Sequence, residues 1–331
     1  MLNGMYVYAM KDTAVCPLCE TRHAVLVFQA ADAESGMQKF DLLACTNCGL
    51  VRTDPVLAKN ELAHYYQQDY YGDGNNKFLP MVEWPVQLAN KLRARNLLAR
   101  LRASKNSQCL HPRVLDIGCG RGGLLQELAI LGCACHGLER LGFAKTAESK
   151  AYELHLGELQ AQGFADSSFD MLVIWHVLEH LPDPADTISQ AAKLLRPGGL
   201  LVLAVPNFTS RQARWFKHNW FHLDIPRHLW HFKPDNLSGL CESTGLKLQT
   251  SSGYSLQQNL FGLIQSILNT VFPTPPNKFY RALQGRDGFH PARLLLWGVA
   301  GLLLLPIALL ECVVSTSSRH GATLIQYWEK P

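Results

Sequence analysis

The chain is poor in charge. Asp, Glu, Lys and Arg make up 18% of its 331 residues, and 31 Lys+Arg against 27 Asp+Glu leave a net charge of +4. So small an excess excludes nucleic-acid binding through bulk charge, so no nucleic-acid partner is expected and any basic partner surface must be local. Internal repeats and low-complexity tracts are missing too, and an apolar content of 47% excludes a disordered tail protein. The opening residues, MLNGMYVYAMKDTAVC, lack a charged segment followed by an apolar run, which argues against a secretory signal. The expectation is a cytoplasmic protein associated with the inner face of the cell membrane. Its length fits one large domain with additions, or two domains.

A disulfide framework is also missing. Of ten cysteines, four form the pairs Cys16-Pro-Leu-Cys19 and Cys45-Thr-Asn-Cys48, separated by 25 residues, and the other six are scattered. Four thiolates at this spacing close a tetrahedral Zn²⁺ site in a reducing compartment. With no fifth ligand nearby, the site reads as structural. It would staple residues 1–55 into a zinc ribbon whose short β-type runs, Ala24 to Ala30 and Phe40 to Ala44, bury little by themselves.

Residues 56–110 read as a helical linker. An aromatic stretch, HYYQQDYY, precedes an amphipathic helix over Trp84 to Lys105 with Leu88, Leu92, Leu98 and Leu101 near helical spacing. From 111 to 254 apolar runs alternate with helical patterns: RVLDI, GLLQELAIL, ACHGLE, GFAKTAESKAYE, ELHLG, FDMLVIWH, DTISQAAKLL, LLVLAVP. That alternation predicts a doubly wound α/β sheet. Further strands are expected at Leu246 to Ser251 and, within 321–331, at Ala322 to Trp328. A hydrophobic helical insertion, 255–320, separates those two.

The segment Val114-Leu115-Asp116-Ile117-Gly118-Cys119-Gly120-Arg121-Gly122-Gly123 runs from a strand into a helix. Glycines there let the backbone turn tightly and bring a ligand to the free N–H groups of the helix start. Gly118, Gly120 and Gly123 also satisfy a dinucleotide-binding spacing, and Glu139, 21 residues after Gly118, could hold a ribose in either class.

A wider set of residues separates the two classes. LDIGCGRG at 115–122, Glu139, Gly157-Glu158 followed by FADSSFD at 164–170, WHVLEHLPDP at 175–184, LLRPGGLLVLAVPN at 194–207 and DIPRHLWHF at 224–232 together resemble the class I S-adenosylmethionine-dependent methyltransferases, in their ubiquinone-methylase-like branch. The resemblance implies a Rossmann-like sheet of seven strands. It also implies that Asp116, Gly118, Cys119, Gly120 and Gly122 hold the methionine part of S-adenosylmethionine, and Glu139 its ribose. Glu158 and Leu159 would meet the adenine, and His176 would stand at the carboxyl edge of the fourth strand, where open sheets bind ligands. The paired cysteines followed by an aromatic stretch resemble the N-terminal ribbon fused to methyltransferases of this type.

A sulfonium methyl is already activated, so transfer needs mainly an oriented nucleophile and exclusion of water. For a hydroxyl acceptor, the segment 220–231 offers His222 or His228 as base, with Asp224 orienting it. The same residues read equally as ties that hold a lid together. Leu294 to Leu310 carries no charge over 17 residues and pairs with the apolar Leu256 to Phe272. If the last strand joins the same sheet, these segments can only enter a membrane as a hairpin, giving peripheral or monotopic contact. Seven Lys/Arg and no acid between 84 and 115 suit an anionic lipid surface. A small-molecule or lipid-linked acceptor follows from membrane contact. Two other readings remain: a hairpin that forms a homodimer interface beside a soluble sugar or nucleotide-linked acceptor, and a non-catalytic module that binds cofactor and partner.

Overall fold

The computed structural model describes residues 11–12, 15–66, 80–103, 109–140, 151–273, 275–284, 291–317 and 320–331. The larger of its two sheets contains β5 (Arg113–Ile117), β6 (Ala134–Glu139), β7 (Glu153–Leu156), β8 (Phe169–Trp175), β9 (Leu195–Pro206), β11 (Lys247–Ser252) and β12 (Thr323–Glu329), in the order β11-β12-β9-β8-β5-β6-β7. Strands β5 to β9 run parallel, whereas β12 is antiparallel to both of its neighbours, β9 and β11. The expected seven-stranded, doubly wound sheet is the one observed.

Side-chain alternation explains why helices cover both faces. Leu115, Leu172, Ile174, Leu201 and Leu203 pack on one side with α4 (Pro184–Leu194) and α6 (Pro234–Glu242). Val114, Met171, Val173, Val202 and Ala204 pack on the other, with α2 (Pro80–Ala103) and α3 (Gly123–Ile130). A parallel sheet buried on both faces needs such continuous apolar strands. Two short helices complete the series, α1 (Lys59–His64) before α2 and α5 (Arg211–Phe216) after β9. Helix α4 starts at Asp183, whose carboxylate accepts the N–H of Asp186, with Pro184 in the first turn. The stretch expected as a helix at GFAKTAESKAYE lies mostly outside the described residues, as does most of HYYQQDYY.

The second sheet, β1-β2-β3-β4-β10, is built from β1 (Lys11–Asp12), β2 (His23–Ala31), β3 (Lys39–Cys45), β4 (Val51–Asp54) and β10 (Trp230–His231). Its last strand comes from the far side of the sequence: Trp230 pairs with Arg52 and His231 with Val51. The cysteine-bearing segment is therefore hydrogen-bonded to the loop that follows β9. Asn236 of α6 reinforces the contact by donating to the Cys48 carbonyl at 2.8 Å.

The insertion forms α7 (Leu256–Val271), α8 (Lys278–Leu283) and α9 (Pro291–Ser317). Because β11 and β9 point the same way, α7 leaves the sheet at its carboxyl edge, and Thr323, opposite Pro206, returns the chain to that edge. The polarity of these helices is inverted. Asn259, Gln265, Ser266 and Asn269 of α7 and Glu311 and Ser315 of α9 are buried, while Leu295, Leu302, Leu303, Ile307, Leu310 and Val313 of α9 are exposed. Gln212 donates to Glu311 at 3.0 Å and Ser315 donates to it at 2.5 Å, so the one carboxylate in α9 faces protein. A span long and apolar enough to cross a membrane, Leu295–Thr316 with a mean hydropathy of 2.2, continues past the uncharged run and includes Glu311.

One expectation needs correction. The basic residues between 84 and 115 do not form a single lipid-facing set. Arg93 lies over the Trp175 ring at 3.9 Å, Arg100 over Tyr327 at 4.2 Å, and Arg113 over Phe169 at 4.8 Å. Aromatic rings at the ends and flanks of the sheet hold these guanidinium groups against the protein, although Arg100 stays exposed.

Candidate functional site

The glycine turn after β5 takes three left-handed steps, with φ of +74° at Gly118, +54° at Gly120 and +70° at Gly122. A Cβ on Gly118 would collide with Val177 and one on Gly122 with the Tyr152 ring, whereas at Gly120 nothing lies within 4 Å. The turn is thus packed at both ends and open in the middle, which is a cradle for a ligand against backbone. Glu139 closes it from the end of β6. Its carboxylate accepts the Gly120 N–H at 2.9 Å and the Arg140 N–H at 3.1 Å.

Asp116 lies beneath the turn. Burial, with the charge of Glu139 added and that of Arg93 opposing, pushes its carboxyl up to about 7. Arg93 is held by Asn90, which accepts its Nη1 at 3.1 Å, and burial lowers its guanidinium to about 10. Arg93 therefore stands apart from the exposed Lys91 and Arg95 of the same helix, and no sequence signal separates it from them. Glu158 is exposed just after β7, and Leu159 packs against the first core.

At the end of β8, His176 adopts a left-handed φ of +53°. Its Nδ1–H donates to Glu179 at 3.3 Å, which leaves the Nε2 lone pair buried and without a partner among the described residues. Burial, aided by Arg93, lowers the imidazole to about 3, and burial raises the Glu179 carboxyl to about 7. This acid–histidine pair was visible in the sequence only as HVLE, three residues apart.

The segment 220–231 packs against that pair. His222 stacks on His176, with ring centres 6.5 Å apart and planes 10° apart, and its Nε2–H donates to the Gln258 carbonyl of α7 at 3.1 Å. His228 donates from Nδ1 to the His222 carbonyl at 3.0 Å. Asp224 departs from its expected role as orienter of a histidine. Arg227 takes both of its oxygens, and the His228 Nε2 stays 3.8 Å away, beyond hydrogen-bond reach. Burial would raise this carboxyl, but the Arg227 charge holds it far below the usual range. The sequence puts a cation three residues from the acid, and the loop closes that pair first.

Among the described residues, three groups bring metal-binding atoms within 4.8 Å of one another. In the first, the sulfurs of Cys16 and Cys48 and those of Cys19 and Cys45 are each 3.5 Å apart. That separation is too long for a disulfide and close to the edge of a zinc–thiolate tetrahedron, so the donors fit Zn²⁺. The second is Glu179, His180 and His228, which could hold a divalent cation. In the third, His136 accepts a hydrogen bond from Arg113 at 3.0 Å, so its remaining nitrogen carries a proton toward His155 and does not suit a cation.

A family described as a methyltransferase domain matches residues 87–251. The ubiquinone biosynthesis O-methyltransferase of Thiobacillus denitrificans is 31% identical over 161 residues, covering 46% of this chain and 62% of that protein. The enzyme of the same name from Rhizobium johnstonii is 33% identical over 146 residues, covering 41% and 58%. The match with each thus spans less than two thirds of that relative's length. A solved structure of a SAM-dependent methyltransferase from Archaeoglobus fulgidus covers 73% of this chain and 94% of its own, with 18% identity and a TM-score of 0.45.

Proposed function

Residues 87–251 are a methyltransferase domain of the S-adenosylmethionine-dependent class, and from that premise we propose that the protein methylates an oxygen of an amphipathic or lipid-linked acceptor at the cytoplasmic face of a membrane. The observation that carries this reading is the meeting of three features at one sheet edge. These are the open cradle at Gly120, the His176–Glu179 pair with its bare Nε2, and an apolar hairpin whose first helix bonds His222.

The residues at the cradle fit the cofactor. Arg93 and Asp116 bring a cation and an acid to its floor, the pair an α-amino acid group requires. Each Glu139 oxygen accepts one backbone N–H and keeps a lone pair for a ribose hydroxyl. Gly118, Cys119, Gly120 and Gly122 line the approach, with Glu158 and Leu159 toward the base. Bound there, S-adenosylmethionine supplies a methyl group already activated by its sulfonium charge.

The chain itself supplies orientation and a proton acceptor. His176 Nε2 takes the proton of the acceptor hydroxyl as its own Nδ1–H passes to Glu179, because the imidazole, held at about 3, is too weak to keep the charge, whereas the carboxyl, raised to about 7, can hold the proton. His222 and His228, tied to backbone carbonyls, wall the acceptor side, and Arg227 holds Asp224 so that their loop stays closed. A phenolic acceptor would need only modest help, since its proton leaves near pH 10.

Membrane contact is supported by the inverted polarity of the insertion. A 22-residue apolar stretch, about 33 Å at 1.5 Å per residue, turns its leucines and valines outward while its polar groups face the protein. Its two ends join neighbouring strands of one sheet, so the hairpin dips into one leaflet and returns.

The test is to incubate the purified protein with methyl-labelled S-adenosylmethionine and extract of cells lacking it, then partition the label. Label in the organic phase is expected. Label confined to the aqueous phase would replace the lipidic acceptor with a soluble sugar or nucleotide-linked one and make the hairpin a dimer interface. No label, with cofactor still bound, would leave a binding module.

A further inference from the structure

Helix α2 has two faces with different employment. Its inner face, Ala94, Leu97, Leu98 and Leu101, is buried on the sheet, and Asn90 and Arg93 reach the cofactor cleft. Its outer face carries Trp84, Leu88 and Leu92, which are 69%, 41% and 56% exposed, on one line at four-residue spacing. Exposed Lys91 and Arg95 flank that line, Arg102 is exposed further along, and no acid occurs from 84 to 115. Large apolar side chains among cations on an otherwise packed helix have the make-up of an element lying in a headgroup layer.

The position of the helix agrees. The Arg121 guanidinium of the glycine turn lies 3.9 Å from Glu83, so the Trp84 end of α2 sits at the carboxyl edge of the sheet. The apolar hairpin leaves and rejoins the sheet at that same edge.

We infer that the outer face of α2, Trp84, Leu88 and Leu92 among Lys91 and Arg95, is a second docking surface for an anionic lipid bilayer, beginning at the same sheet edge as the α9 hairpin. This rests on the membrane reading above and adds a lipid charge preference. A second copy of the chain is the poorer occupant, because a two-fold contact through α2 would set Lys91 and Arg95 against their own counterparts with no acid to meet them.

The test is flotation of the full chain with vesicles of neutral phosphatidylcholine and with vesicles containing 30 mol% phosphatidylglycerol (roughly the range over which basic surfaces respond). The wild type is expected to bind both, through the α9 arc, and to bind the anionic vesicles about tenfold more tightly at low salt, with the excess lost at high salt. Lys91→Gln with Arg95→Gln should remove that excess and leave neutral binding unchanged, and Leu88→Asp should weaken both. All three positions are exposed, so the fold is retained. If the double variant keeps the full anionic preference, the inference is overturned while the membrane reading stands. If the wild type floats with neither vesicle, both fall.

Discussion

Gly262 of α7 lies directly against the His222 imidazole: a Cβ added there would stand far inside contact distance of Nε2 and 3.0 Å from the Gln212 Oε1. The insertion therefore forms the back wall of the candidate acceptor site. Gly262→Ala should displace the His222 ring and lower kcat for acceptor methylation by about tenfold or more, since a misplacement of this size is felt at the reacting centre. Cofactor affinity, measured by calorimetry, should stay within about twofold, because the cradle at Gly120 touches neither residue.

The His176–Glu179 pair makes a sharper claim. His176→Asn and Glu179→Gln should each lower kcat by about 10² to 10⁴, the range of a lost general base, with cofactor affinity little changed. Retention of full activity in both variants would remove the proton acceptor from the scheme.

Gly120 offers a steric test of the cradle. Its φ of +54° disfavours any side chain, and the open space beside it is where the ligand would approach. Gly120→Arg should abolish cofactor binding in a direct titration while a far-ultraviolet spectrum stays native.

Zinc should copurify at about one ion per chain by elemental analysis, consistent with a single four-sulfur structural site. Cys45→Ser, or a strong chelator, should release it and lower Tm by about 5–10 °C, as a loss of a few kcal/mol would. Because β4 pairs with β10 and Asn236 holds the Cys48 carbonyl, the acceptor KM should rise more than the cofactor Kd.

Acid should unfold the protein. Burial holds His176 and His231 to about 3, His222 to about 4, and lowers His228 as well. Unfolded, these rings titrate near 6.5, so below that pH the unfolded chain binds protons that the folded chain refuses, and stability drains as pH falls. Asp116 and Glu179, raised to about 7 by burial, act in the opposite sense between roughly pH 4 and 7. Burial lowers the His136 ring too, so five histidines against two acids leave a net of about three protons taken up on unfolding. Urea midpoints should therefore fall between pH 7 and pH 5, and His231→Gln should reduce that slope.

Much of the fold was legible because its signals are local. RVLDI, FDMLVIW and LLVLAVP read as strands from apolar runs alone, and the turn at Gly118 to Gly123 announces itself by composition. What required coordinates is what depends on side chains far apart in sequence. No periodicity could show that Arg93 and Arg100 lie over Trp175 and Tyr327, since a basic helix face looks the same in both cases. The pairing of Arg52 with Trp230, 178 residues later, has no sequence signature. Asp224 was misjudged because proximity to His222 and His228 in the chain said nothing of Arg227 being nearer in space.

The place of β12 bears on how the chain is made. Strand β11 is held to the large sheet only through β12, which is synthesised after the whole apolar hairpin. As the chain leaves the ribosome, α7 and α9 emerge while the strand that will clamp their ends is still missing. For that interval the leucine-rich arc and an unpaired β11 are exposed together, a state prone to aggregate in water. A lipid surface met before β12 was complete would shield the arc at the moment of its greatest exposure.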